Sequence, residues 1–354
     1  MSRFVQLHLL TSYPPANLNR DDLDRPKTAM MGGEPRLRVS SQSLKRAWRT
    51  SEVFESSLKA HMGTRTKEMG IEIFKQLKEK GVGKKDASEW AKAIANQFGK
   101  LKAANKDNEL QELEIEQLAH FSPEEKQAIE ALINQLAERK TKPEDDELKL
   151  LRKTHTAVDI ALFGRMLASA PAYNTEAAAQ VAHAISVHSV VVEDDFFTAV
   201  DDLNKGEDDA GAAHLGETEF AAGLFYLYIC IDKALLIKNL SNDEALANQT
   251  LKAFIESAAT VSPNGKQNSF ASRARTSYLL CETGNQQPRS LSVAFLKPVQ
   301  KGDMLVDARK RLDNTLKNMD QVYGLCADKR ERFYFNADEV EGNLQAVIQC
   351  AVEA

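Results

Sequence analysis

The chain is 354 residues long, 43% hydrophobic and 27% charged, and its 46 basic and 51 acidic side chains leave a net charge of −5. This fits a folded protein of about two domains, or one large domain with insertions, and excludes a wholly disordered chain. A membrane-spanning protein is also excluded, because the longest apolar stretch, 221–231, is broken by Gly223 and is far shorter than the ~20 residues a spanning helix needs.

In chain order, residues 4–10 (FVQLHLL) alternate as a strand. Val5, Leu7 and Leu9 face one way, and Phe4, Gln6 and His8 the other. Tyr13-Pro14-Pro15 should end it. A long loop then runs to Gly33, and Ser40–Thr50 reads as a short helix. From about Phe54 to Arg152 proline is scarce and charges recur at helical spacing, which predicts a helical insertion. Within it, Ser122-Pro123-Glu124-Glu125 is a helix start, followed by the apolar stripe Ile129, Leu132, Ile133 and Leu136. Residues 157–163 alternate again and read as a strand, 181–192 are β-rich at their end, and 220–231 are aromatic and apolar. An amphipathic helix is expected over 241–260, strands over 275–281 and 290–296, and a helix over 302–319. Strands and helices interleaved around a helical excursion give an α+β fold.

Cys230, Cys281, Cys326 and Cys350 are too scattered for CxxC pairs or a disulfide ladder, and the N-terminus lacks the charged start and apolar run of a signal peptide. A cytoplasmic protein with its cysteines in cores is expected. The histidines His8, His61, His120, His155, His183, His188 and His214 form no paired-ligand spacing, and neither GxSxG nor GxxxxGK[ST] occurs. No metal and no cofactor is expected.

The charge is unevenly placed. Residues 1–49 hold nine basic and four acidic side chains, a net of +5, which leaves −10 for the rest. On the helix after Ser40, Leu44, Ala47 and Trp48 share one arc, while Gln42, Lys45, Arg46 and Arg49 share another. Ser40 or Ser41 caps its N-terminus, where free N–H groups suit a phosphate. Arg36 and Arg38 precede it. A phosphate backbone is the partner such a surface fits, because nothing here specifies bases. The loop 262–275, with Lys266, Gln267, Asn268, Arg273 and Arg275, is a second phosphate candidate. Asp21, Asp22 and Asp24 are either loop ligands for a metal or ion-pair partners for Arg20, Arg25 and Lys27.

Residues 193–219 read as an acidic hairpin carrying adjacent Phe196 and Phe197, which a strand must direct to opposite faces. Two arrangements are open. The hairpin lies back on its sheet, or it protrudes and offers Phe196, Phe197, Thr198, Val200 and Leu215 to bases or to a neighbouring subunit.

LNRDD after the first strand, GG-x-x-R-x-R-V-SSQSLKRA, VDIALFGRM, VAHAIS, FFTAVDDL and AHLG-x-x-EF occur in that order. Together they resemble the backbone subunit of the type I-E CRISPR surveillance complex, Cascade (the CasC-type subunit), from residue 1 to about 300. The resemblance implies an RRM-like (ferredoxin-like) palm, a large helical fingers insertion and a protruding β-hairpin thumb. The palm would comprise 1–53, 153–192 and 220–354, the fingers 54–152 and the thumb 193–219. It implies several copies lined along one guide RNA (crRNA), which pairs with target DNA in antiviral defence, together with other Cascade subunits. It implies phosphate contacts from Asn19, Arg20 and Asp22 in the loop and from Ser40, Gln42, Lys45, Arg46 and Arg49 on the helix, and Arg38 just before the helix is a further RNA-binding candidate. It implies a base-displacing wedge of Phe197, Thr198, Val200, Leu215 and Met166 beside Arg165. Family members commonly carry tryptophan at the position of Phe196. The scaffold so implied is non-catalytic. The competing expectation is a metal-dependent RNA nuclease using Asp21, Asp22 or Asp24, as in related type III backbone subunits.

Overall fold

The computed structural model describes residues 2–199, 214–300 and 302–354. Its strands, in chain order, are β1 (Phe4–Ala16), β2 (Thr28–Met31), β3 (Glu34–Val39), β4 (Thr64–Thr66), β5 (Ala119–Phe121), β6 (Ala179–Val181), β7 (Ala184–Ser186), β8 (Glu193–Ala199), β9 (His214–Asp232), β10 (Thr276–Gly284), β11 (Lys329–Phe335) and β12 (Val340–Glu341). The helices are α1 (Ser41–Arg49), α2 (Glu52–Leu58), α3 (Met69–Glu79), α4 (Lys84–Ala95), α5 (Pro123–Arg139), α6 (Val158–Phe163), α7 (Lys233–Asn239), α8 (Glu244–Thr260), α9 (Gln267–Phe270), α10 (Met304–Tyr323) and α11 (Leu344–Val352). The fold is α+β. Among the described residues no helix is long and apolar enough to cross a membrane.

The chain divides into two compact units, one of residues 1–54, 180–231 and 251–354, the other of 55–179 and 232–250. The first is built on a sheet of order β12-β11-β10-β1-β9-β7-β3-β2. Val5, Leu7 and Leu9 of β1 are fully buried on one face. Leu10, Tyr226, Tyr278, Leu280 and Tyr334 pack with Phe295, Ala308 and Leu312. α11 lies against β10 and β11.

A charged cluster is buried within this unit. Glu282 accepts hydrogen bonds from His8 Nε2 at 3.0 Å, Arg330 Nε at 2.8 Å and both terminal nitrogens of Arg289. The other imidazole nitrogen of His8 lies 2.9 Å from the Tyr226 hydroxyl. Burial holds the His8 pKa below its ordinary value, so the neutral ring donates from Nε2 and accepts at Nδ1. Burial by itself would raise the Glu282 pKa, but its bonds from His8 and Arg289 hold it far below the usual carboxylate range.

The second unit packs α3, α4 and α5 around Met69, Ile73, Trp90, Ile94, Phe98, Phe121 and Ile133. α5 starts where the sequence marks it. Ser122 accepts from the Glu125 N–H, and Glu125 accepts from the Ser122 N–H at 2.9 Å, a reciprocal cap.

Four segments depart from the sequence reading. β1 runs through Pro14 and Pro15 to Ala16. Both prolines are exposed and lie beyond Thr11, the last residue registered with β10, so their missing N–H groups cost the pairing with β10 nothing. The expected long loop holds the β2–β3 hairpin, turned by Gly32 and Gly33 at φ +63° and +82°, values that favour glycine. Residues 158–163 are helix α6 rather than a strand, and Val158 through Leu162 are all buried, so the alternation has no solvent face to mark. Residues 290–296 contain a short 3₁₀ turn, Ser292–Phe295, instead of a strand. Leu291 and Phe295 are buried four residues apart, while Val293 is exposed.

Stability should fall with acid in two stages. Below about pH 6.5 the unfolded chain takes up a proton that buried His8 refuses, and below the carboxylate range it takes up another that Glu282 refuses. Glu282→Gln leaves Arg289 and Arg330 with Asp320 as their remaining carboxylate and should cost about 3–5 kcal/mol at neutral pH. It should also flatten the second, more acidic stage. Urea unfolding at several pH values, followed by Trp48 fluorescence in a Trp90→Phe background, checks both effects. Equal midpoints for the two proteins at neutral pH would count against this role.

Candidate phosphate-binding surface

α1 forms because Ser40 takes an extended cap conformation and its hydroxyl accepts from the Ser43 N–H at 3.3 Å. Ser41, Leu44, Ala47 and Trp48 are buried, with the Trp48 ring edge-on to Phe254 at 5.5 Å. Gln42 and Arg46 are exposed, while Lys45 and Arg49 are half-buried. Burial lowers the Lys45 pKa from its ordinary value.

The helix is joined to the loop that follows β1. Asn19 Oδ1 accepts from the Ser40 N–H at 2.9 Å, and the Asn19 carbonyl accepts from the Lys27 N–H at 2.8 Å. Asp21 turns the loop by accepting from the N–H groups of Leu23 and Arg25, each at 2.9 Å. The Arg25 bond is the leading reason that its pKa sits below the ordinary carboxylate value. Asp24, at φ +66°, pairs with Arg20 at 2.5 Å and with Lys266 at 3.2 Å. Asp22 is exposed. Among the described residues no three acidic, histidine or cysteine side chains gather as a metal cluster. Of the two readings of the three aspartates, Asp21 and Asp24 follow the ion-pair one.

A cavity of about 420 Å³ opens between this loop and the helix, lined by Asn19, Arg20, Asp24, Arg46, Asn264 and Gly265 among others. The charge and motif pattern passes over Asn264 and Gly265, although Pro263-Asn264-Gly265 is a turn signal beside candidate residues. A Cβ at Gly265 would stand 2.3 Å from the Leu18 carbonyl oxygen, so the close approach of the two loops requires glycine.

The remaining expected residues are placed less uniformly. Arg38 is half-buried, with Nη1 3.1 Å from His183 Nδ1, and Arg36 is fully buried on the carbonyls of Ser186, Phe295 and Leu296. Gln267 is turned inward, its amide donating to the Pro263 carbonyl at 2.7 Å and to the Ser272 hydroxyl at 3.2 Å, which removes it as a phosphate donor. Lys266 donates to the Thr218 hydroxyl at 2.5 Å. Arg165 is a correction. Its side chain is 1% exposed, paired with Glu125 at 2.7 Å and bonded to the carbonyls of His120, Arg152 and Tyr173, so no outside phosphate reaches it. Met166 beside it is 80% exposed.

β8 and β9 pair antiparallel as a hairpin, with Phe197 opposite Gly216 and Thr198 opposite Leu215. Phe196 is 61% and Phe197 45% exposed, so neither ring is part of a core. The Phe197 ring covers Gly216, where a Cβ would come within 2.3 Å of it. At the hairpin's base, Phe220 meets Phe270 at 6.0 Å. Val200 and the Leu215 side chain lie outside the described residues.

A family model described as "CT1975-like protein" matches residues 5–351. The chain belongs to the CT1975-like family. Its match extends well past residue 300, where the motif resemblance ends. Among solved structures, a chain of a "CRISPR RNA-guided surveillance complex, pre-nicking" is 29% identical to this CT1975-like chain, with a TM-score of 0.87 and 99% of each chain covered. A chain of a "CRISPR RNA-guided surveillance complex" shares the fold at 24% identity, with a TM-score of 0.76 and 99% of each chain covered. Comparison with curated proteins gives no match. These likenesses bear out the resemblance to the Cascade backbone subunit drawn from the motifs.

Gly265→Ala should force the two loops of this CT1975-like chain apart, because backbone stands against backbone and no flexible side chain is there to yield. Amide exchange of Arg25 and Lys27 should accelerate while that of β10 is unchanged. Unaltered exchange at those two amides would show that the cavity does not depend on this close approach.

Proposed function

We propose that this chain is a guide-RNA-binding backbone subunit of a CRISPR surveillance complex, holding phosphates at the cavity between α1 and the Asn19–Lys27 loop. The observation that carries the reading is the convergence of Arg20 and Arg46, far apart in sequence, on one cavity that also includes Asn19. A complex-forming chain of the same fold, 29% identical over 99% of both lengths, gives that convergence its context. Phosphate contact of this kind positions an RNA without reading its sequence, as a subunit that accepts any guide must do.

In this reading the sheet unit is the RRM-like palm, the β8–β9 hairpin is the thumb, and copies of the chain line one crRNA beside other Cascade subunits. Phe196 and Phe197 meet bases or a neighbouring copy, and the guide between them pairs with target DNA. The subunit is a cytoplasmic scaffold and not an enzyme. Supporting this over a nuclease, the Asp21 carboxylate is engaged by backbone amides and that of Asp24 by two cations.

Two measurements test it. Replacing Arg20 and Arg46 together with Ala should lower the log–log salt slope of RNA binding by about two, roughly one for each phosphate no longer neutralised. Both side chains are at the surface, so the melting temperature should hold. An unchanged slope means the phosphates lie elsewhere. Phe197→Ala should weaken RNA binding by about 1–3 kcal/mol if the ring stacks on or wedges against a base. It should also erase any regular spacing of reactive bases in chemical probing of the bound RNA. A variant with wild-type affinity and spacing would remove the hairpin from the interface.

A further inference from the structure

The cavity described above is not an open cationic seat. Asp24 reaches into its lining and divides its two oxygens between two cations, Oδ1 to Arg20 at 2.5 Å and Oδ2 to Lys266 at 3.2 Å. A phosphodiester also presents two anionic non-bridging oxygens, and Arg and Lys both take such oxygens in charge-assisted hydrogen bonds. The backbone at Asp24 is fixed independently of that carboxylate. Its carbonyl accepts from Asn17 Nδ2 at 3.0 Å, and the same amide nitrogen donates to the Glu219 carbonyl at 2.9 Å on β9. The side chain itself is 59% exposed. It therefore has room to rotate into solvent while its Cα stays in place. Exposed ion pairs of this kind are weak, and a phosphodiester delivered by a strand held at several points competes with them effectively.

We infer that the Asp24 carboxylate is an internal stand-in for a backbone phosphate, filling the anion seat formed by Arg20 and Lys266 until RNA displaces it. The inference rests on the phosphate-binding reading of this cavity and adds a residue that opposes binding. Its consequence is selectivity. A loosely apposed polyanion finds the seat already neutralised, and a strand anchored at neighbouring seats displaces the carboxylate. On displacement Lys266 keeps its bond to Thr218 on the hairpin's return strand, so the cation stays in position for the incoming oxygen.

The test uses the full chain, freed of RNA, and a labelled single-stranded oligouridylate. Asp24→Asn keeps a residue that tolerates positive φ and removes the charge. It should bind about two- to thirtyfold more tightly than wild type at low salt, the range set by releasing the two exposed ion pairs of Asp24. Asp145→Asn, the same charge change at an exposed position in the other unit, should bind as wild type does. If Asp24→Asn lowers the melting temperature, Asp24→Gly, which also fits the backbone, is read in its place. Wild-type binding with no gain in the Asp24 variant overturns the stand-in and leaves the phosphate reading intact. An equal gain in Asp145→Asn overturns it as a general charge effect. Absence of binding by every protein overturns both the stand-in and the phosphate reading.

Discussion

One buried side-chain amide holds the candidate surface together. Asn17 is fully buried, and its nitrogen ties the turn at Asp24 to the carbonyl of Glu219 on β9. Two residues on, Asn19 ties the same loop to the first amide of the α1 cap. Loop, helix and hairpin strand are thus fixed to each other by neutral hydrogen bonds, and the charged groups are left to face the cavity. The division of labour is physical. Neutral bonds between buried groups keep their geometry as salt changes, whereas the exposed ion pairs among Arg20, Asp24 and Lys266 are screened and exchangeable. The scaffold is rigid where position matters and labile where a ligand must compete.

The same contrast separates the buried charges from the exposed ones. Glu282 and Glu125 each organise several donors and are inaccessible, so their contribution is to fix which strands and loops meet. Glu125 acts twice, capping α5 and holding Arg165, which takes that arginine out of any intermolecular role. An arginine within a motif is a ligand for RNA only if its neighbours leave it one side open. Arg46 meets that condition and Arg165 does not.

Elements with a local signature are legible in the sequence. α1 carries its cap at Ser40 and its packing arc at Leu44, Ala47 and Trp48, and α5 carries its own cap in four residues. Elements whose signature is erased by context are not. α6 is buried all round, so its period vanishes. β11 (KRERFYF) looks like a solvated basic run, yet Arg330 and Arg332 are neutralised by Glu282 on β10, Asp313 and Asp320 on α10 and Glu341 on β12, carboxylates carried by other elements. No local pattern announces that. At the candidate site, charge and motif point to Arg20, Arg46 and Asn19. They miss Asn264 and Gly265, whose contribution is closeness rather than charge, and they misplace Gln267, whose inward turn depends on Pro263 and Ser272.

β9 serves both the hairpin and the sheet without a break. Its first residues pair with β8, and Phe225 and Tyr226 further along pair with β7. Inserting or deleting a single residue near Phe220 would therefore swap inward and outward faces for one half of the strand relative to the other. Either Tyr226 would leave the core or Phe197 would lose its glycine. Length variation among descendants of this chain is accordingly constrained at the base of the hairpin, and homologous hairpins should differ by even steps there while remaining freer at a distance from the sheet.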